Sequence, residues 1–223
     1  MKNRETWTRR EILVMGTGLT ALSGTSFAQE AQRTFTPSLI LGPFYPQIKP
    51  LDQDADLTVI KGRKKKAQGK TIHVAGTVMT VTGKPLKNTR IEIWQADANG
   101  RYSHPSDPNP TQLDDNFQGY CVLMTDDRGR YRFKSVMPGA YPGLRPGAPM
   151  RTPHIHFEVH GATDRLVTQM FFPGEKLNST DNILRNIGNE AARAAAIARQ
   201  LPPTRDIGPG EVLFGWDIVL LSG

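Results

Sequence analysis

Frequent interruption is what most limits the fold of this chain. Seventeen prolines and 21 glycines are spread through 223 residues, and each proline removes a backbone donor while each glycine loosens the backbone, so few windows can sustain a long helix. Between the interruptions stand short runs rich in β-branched and aromatic residues, at 71–81, 89–96, 121–125, 131–133, 154–160, 166–172 and 212–221. Such runs read as strands. Turn signals separate them, among them Thr82-Gly83-Lys84-Pro85 and Asp126-Asp127-Arg128-Gly129. Along Arg90–Gln95 polar and apolar residues alternate, so one face of that strand should meet a core. The fold expected is mainly β: an antiparallel β-sandwich with irregular arms and one short helix in the C-terminal half. That helix is placed at Asn189–Gln200, where alanine is dense.

The chain divides into three expected parts. Residues 1–28 have a basic start, an apolar centre from Ile12 to Leu22 too short to span a bilayer, and the small residues Ser26 and Ala28 near the exit. This is the pattern of an export signal. Arg9-Arg10 followed by Ile12 and Leu13 is similar to a twin-arginine signal. A periplasmic or secreted protein with no membrane anchor after signal removal is therefore expected. Residues 29–70 form an N-terminal arm and a basic loop. Prolines stop the apolar run Leu39–Pro46, which favours an extended arm, and Lys61–Lys66 reads as a solvated loop because no aromatic residue interleaves its charges. Residues 71–223 form the sandwich domain. With 28 basic residues against 21 acidic ones, the excess of positive charge is modest, and no nucleic-acid partner is expected.

Chemistry enters at His154-Ile155-His156. Two histidines separated by one residue on a strand lie on the same face, about 6.5 Å apart along the backbone, so both imidazoles can reach one metal ion. Ile155, Phe157 and Val159 then point into the opposite layer. The same pattern also suits surface or hydrogen-bonded histidines, and the spacing alone leaves both readings open. His160 stands too far along the strand to share an ion with the other two. Cys121 is the one cysteine, so a thiolate zinc cluster is excluded and any metal must take nitrogen and oxygen ligands. Glu158 follows too closely for the cupin arrangement. Nothing in the spacing points to tyrosine ligands.

Longer motifs carry more. The run Ile91-Glu-Ile-Trp-Gln-Ala-Asp-Ala-Asn-Gly-Arg-Tyr102 precedes Thr125-Asp126, Pro138-Gly-Ala-Tyr-Pro142 and Arg151-Thr-Pro-His-Ile-His-Phe157. With Gly76-Thr-Val, Thr168-Gln-Met-Phe-Phe172 and Phe214-Gly-Trp-Asp-Ile-Val219, this series resembles the intradiol ring-cleaving dioxygenases, especially the protocatechuate-cleaving ones, over residues 37–221. The resemblance implies a non-haem Fe(3+) cofactor held by Tyr102, Tyr141, His154 and His156. It implies that Tyr102 stays bound while Tyr141 is displaced by substrate and accepts its proton. Arg151 would stabilise charge on the attacked ring carbon, and Gln169 would support the site.

The function so implied is cleavage of catechol-type aromatics with O2 to cis,cis-muconate products, by a homo-oligomer. Two departures bear on substrate. Gly143-Leu144 stands where protocatechuate enzymes commonly carry Trp-Arg, and Cys121-Val122 replaces a Gly-Arg pair before the Thr-Asp turn. Tyr45 either lines the pocket or packs the arm onto the sandwich. Two other classes stand as alternatives: a non-catalytic β-sandwich binding module with an inherited metal motif, and a zinc hydrolase, for which a general-base glutamate is missing at the expected offset.

Overall fold

The structure is a computed structural model and describes residues 33–222. The expected export signal at residues 1–28 lies outside the described residues. Among the described residues nine strands make up two sheets: β1 (Thr71–Thr80), β2 (Arg90–Trp94), β3 (Tyr120–Met124), β4 (Arg130–Val136), β5 (His154–His160), β6 (Arg165–Phe171), β7 (Arg199–Leu201), β8 (Val212–Gly215) and β9 (Ile218–Leu220). One sheet runs β4-β1-β8-β7 with β9 also beside β1, and the other runs β3-β2-β5-β6.

The second sheet is antiparallel throughout, as expected. The first is mixed, which corrects a purely antiparallel reading. β1 pairs antiparallel with β4 but parallel with β8 and β9. Side chains alternate with period two in either pairing, so the sequence pattern cannot distinguish them. The expected strand at 212–221 is broken at Trp216-Asp217. There Tyr131 Oη donates to the Trp216 carbonyl at 2.7 Å, and Asp217 accepts from the Thr77 amide at 3.0 Å.

The inner faces share one core. Ile72, Val74 and Phe133 of the first sheet and Ile91, Ile93, Ile155 and Phe157 of the second are all buried. The Phe157 ring meets Tyr131, Phe133 and Trp216, with centroids 6.2, 6.0 and 4.8 Å away. Each such side chain contributes about 1.5–3 kcal/mol when fully buried. Because β5 lies between β2 and β6, its inward residues lock its register, and that register fixes where its histidines stand.

A 3-10 turn (Lys176–Ser179) and two short helices, α1 (Asn182–Arg185) and α2 (Glu190–Ala195), follow β6. Helix α2 starts where expected, with Asn189 Oδ1 accepting from the Ala192 amide at 3.1 Å. It ends about one turn early, because Phe171 exchanges backbone hydrogen bonds with Ala196 and Ala198, both 2.9 Å, and the chain then enters β7. Tertiary pairing outweighs alanine's helix preference. Residues 61–66 are exposed, as expected for a solvated loop. Among the described residues no helix is long and apolar enough to cross a membrane.

Candidate metal centre

β5 turns His154, His156 and Glu158 to the face opposite the core, yet all three are buried. The N-terminal arm and two loops cover that face. His154 Nδ1 donates to the Thr152 carbonyl at 2.6 Å, which makes Nε2 the nitrogen that carries the lone pair and could act as a ligand. His156 stacks nearly flat on Trp94, its cross-strand neighbour, with centroids 4.8 Å apart and 11° between planes. The two imidazoles are 4.9 Å apart, edge to face. Burial holds both well below the ordinary histidine range, with the Arg151 charge adding to this in each, so both remain neutral donors.

The tyrosines arrive from loops. After β2, Asp97 accepts from the amides of Asn99 and Arg101 at 2.8 and 2.9 Å and closes a tight turn that ends at Tyr102. Gly100 within it has φ +77°, and a Cβ there would lie 2.3 Å from the Ala140 carbonyl. Glycine thus lets the Tyr102 loop dock on the Tyr141 loop, and the Gly139 amide donates to Asp97 O at 2.8 Å. Tyr141 is fixed by an isolated antiparallel bridge to Arg151. The two phenol rings meet edge-on at 5.5 Å, Tyr102 lies 6.2 Å from His156, and Tyr141 lies 5.5 Å from His154.

Tyr102, Tyr141, His154 and His156 are thus brought together from three separate segments. All four are at least 94% buried. Tyr141 Oη donates to His154 Nε2 at 3.2 Å, but Tyr102 Oη and His156 Nδ1 are buried with no partner among the described residues. A buried hydroxyl left unpaired costs about 1–3 kcal/mol, a cost that a bound cation would remove. Burial pushes both phenols above their ordinary range, Tyr102 further than Tyr141, and the Arg151 charge opposes the shift in each. Both are therefore protonated until a cation draws the proton off. Two phenols and two imidazoles, with thiolate absent, suit a hard or borderline ion.

Arg151 and Gln169 stand beside these donors. Arg151 Nη1 reaches Tyr141 Oη at 3.4 Å, and its Nη2 donates to Gln169 Oε1 at 2.7 Å. Gln169, opposite His156 on β6, in turn donates to the Ile40 carbonyl at 3.1 Å. Sequence reasoning missed the residue that holds Arg151. Asp181 is fully buried, and its Oδ2 accepts from Arg151 Nε at 2.7 Å and from the Thr152 amide at 3.1 Å. Its Oδ1 caps α1 through the Ile183 and Leu184 amides. A lone aspartate before a weak helical signal reads only as a cap, and its second role exists only across the fold.

The arm forms the roof. Gly42, at φ +78°, passes so close to His156 that a Cβ would lie 3.1 Å from Cε1. Phe44 packs on Tyr102 at 4.7 Å and on Tyr141 at 6.2 Å. Tyr45 packs edge-on against Trp94 at 5.0 Å, so of its two expected placements it takes the packed one. Phe44, Lys49, Trp94, Tyr102 and Tyr120 border a cavity of about 240 Å³ beneath the arm.

A second group, Glu92, Glu158 and His160, is close enough to share an ion. Arg90, Lys49 and Arg165 already pair with its two carboxylates, so the charge that would attract a cation is compensated. His160 belongs to this group, 3.0 Å from Glu158, and not to the four-donor cluster.

Comparisons with known proteins place the chain. The family model described as Dioxygenase matches residues 40–222. The protocatechuate 3,4-dioxygenase beta chain of Burkholderia cepacia is 44% identical over 174 residues, covering 77% of this chain and 72% of that relative. Hydroxyquinol 1,2-dioxygenase of Corynebacterium glutamicum is 29% identical over 96% of this chain and 73% of its own length. Among solved structures, the dioxygenase domain of a dioxygenase carbohydrate-binding protein fusion from Streptomyces sp. SirexAA-E is similar with a TM-score of 0.62 at 27% identity, covering 85% of this chain and all of that one. A family match across most of the length, over two sheets and few helices, has one consequence: the chain belongs to the intradiol ring-cleaving dioxygenases.

Proposed function

We propose that the chain uses a ferric, non-haem ion to open catechol-type rings with O2, giving cis,cis-muconate products, with Tyr102, Tyr141, His154 and His156 as ligands. The observation that carries this reading is the convergence of two buried phenols and two buried imidazoles, with Tyr102 Oη and His156 Nδ1 lacking partners among the described residues. Ferric iron there would act as a Lewis acid that holds the phenolates ionised and draws the hydroxyl protons from a catechol.

The chain's own residues do the rest. Tyr141 Oη sits between His154 Nε2 and Arg151 Nη1, where a phenolate can accept a substrate proton and then be held by the guanidinium. Arg151, fixed by Asp181 and Gln169, stabilises negative charge developing on the ring. The arm from Leu41 to Phe44 keeps water from these groups. The relatives named above act on protocatechuate and hydroxyquinol; for this chain, Gly143-Leu144 in place of Trp-Arg leaves catechol itself as the substrate to test first.

Purified full-length protein should contain about one iron per chain and a visible absorption band that shifts when catechol is added under argon. Colourless protein carrying stoichiometric zinc would overturn the reading. We also propose export by the twin-arginine route. Residues 1–28 fused to a reporter should direct secretion that falls when Arg9-Arg10 becomes Lys-Lys, and unchanged secretion would refute that route.

A further inference from the structure

The arm crosses the four-donor cluster with few polar ties of its own. Among the described residues, the hydrogen bonds recorded between Leu41 and Lys49 are two, and both end on one carboxylate: Tyr45 Oη donates to Glu92 Oε2 at 2.8 Å, and Lys49 Nζ does so at 2.9 Å. Glu92 is 4% exposed and sits on β2, two residues before Trp94 and on the same face. Tyr120 on β3 donates to the same oxygen, and Arg90 binds the other. The Lys49 ammonium lies 3.5 Å above the Tyr45 ring and 4.4 Å above that of Tyr120, which closes the assembly into a compact knot.

From this knot, contacts run directly to the donors. Tyr45 packs on Trp94, and Trp94 stacks on His156. One residue before Tyr45, Phe44 covers Tyr102. Gly42 passes close to Cε1 of the His156 ring. A carboxylate that served only the sheet would need Arg90 on β2 and Tyr120 on β3, and no donors from a segment more than forty residues away.

We propose that Glu92 is a positioning residue: it clamps the arm across the site through Tyr45 and Lys49, and through the Tyr45–Trp94 contact fixes the plane of His156. The clamp acts on the bound substrate only if the catechol reading above holds, but the clamping itself does not depend on iron. This separates the two tests.

The experiment is limited chymotrypsin digestion of iron-free, full-length protein, followed at the Phe44-Tyr45 bond. Phe44 is 3% exposed, so cleavage there reports local opening of the arm. Glu92→Gln and Tyr45→Phe should each speed this cut about tenfold, the factor set by about 1.4 kcal/mol of lost charge-assisted hydrogen bonding. Combined, they should do no more than Glu92→Gln alone. In iron-loaded protein the same variants should raise KM for catechol by a larger factor than they lower kcat. A wild-type cleavage rate in both variants, or effects that simply add, would overturn the clamp. Should Glu92→Gln fail to fold, Tyr45→Phe with Lys49→Met removes the same ties from the arm side. A faster cut then supports the proposal, and a wild-type rate refutes it.

Discussion

Asp181→Asn is the sharpest test of how the site is held. The wild-type carboxylate accepts four hydrogen bonds, two on each oxygen: Arg151 Nε and the Thr152 amide on Oδ2, and the Ile183 and Leu184 amides on Oδ1. Asparagine has one acceptor oxygen, so whichever way the amide turns, its NH2 faces two donors and two bonds are lost. Asp181 is fully buried, and water cannot replace them. At about 1.5–3 kcal/mol for each bond to a charged group, the loss is about 3–6 kcal/mol. That is a large share of the roughly 5–15 kcal/mol by which domains are stable. With a urea dependence of roughly 2 kcal/mol/M, the unfolding midpoint should fall by roughly 2 M. Arg151 would also lose the anchor that aims it at Tyr141 and Gln169, so oxygen uptake with catechol should fall about tenfold or more in molecules that remain folded. Urea unfolding followed by circular dichroism, alongside oxygen-electrode rates, measures both. An unchanged midpoint with wild-type oxygen uptake would show that Asp181 holds neither Arg151 nor α1 in the way argued.

The two tyrosines should fail in opposite ways. Tyr102→Phe removes an unpartnered buried hydroxyl, so the iron-free protein should gain about 1 kcal/mol while ferric binding weakens; a less stable iron-free variant would refute this. Tyr141→Phe breaks bonds to His154 and Arg151, so iron-free protein should lose about 1 kcal/mol, retain iron and turn over far more slowly, as denaturation and metal analysis would report. Gly42→Ala places a Cβ against His156 at positive φ, so the melting temperature should drop by an amount corresponding to about 1–2 kcal/mol, and an unaltered value would remove Gly42 from the account. At the far end of the first sheet, the hydrogen bond from His73 holds Glu211 down at about 2. A depressed folded value means that its contribution is complete above the ordinary value near 4.5 and lost as pH falls toward 2. Being near the surface, it is worth under about 1 kcal/mol. Glu211→Gln should therefore cost stability at pH 6 but little at pH 2, and an equal cost at both would refute the assignment.

Much of this protein is local and was legible as such. Proline and glycine spacing with period-two alternation determined that the chain is β-rich, because backbone donors and pleat geometry act over a few residues. His154 and His156 shared a face on the same ground, and the alanine density after Asn189 marked a helix start. The motifs around Tyr102 and Tyr141 could be matched to a family, but spacing alone gave no reason to join them to the histidines. Their meeting depends on two loops, forty residues apart in the chain, docking at Gly100 and Ala140. The parallel pairing of β1 with β8 and β9 was equally hidden, since parallel and antiparallel partners ask the same alternation of a strand. The helix that continued on paper to Gln200 stopped at Ala195 because Phe171 and β8 offered the backbone better partners than another turn could. Asp181, Glu92 and Trp94 acquire their roles in the same way. Each is an ordinary cap, strand or core residue to its neighbours in sequence, and only the residues that the fold brings from far along the chain give its charge or ring something to hold.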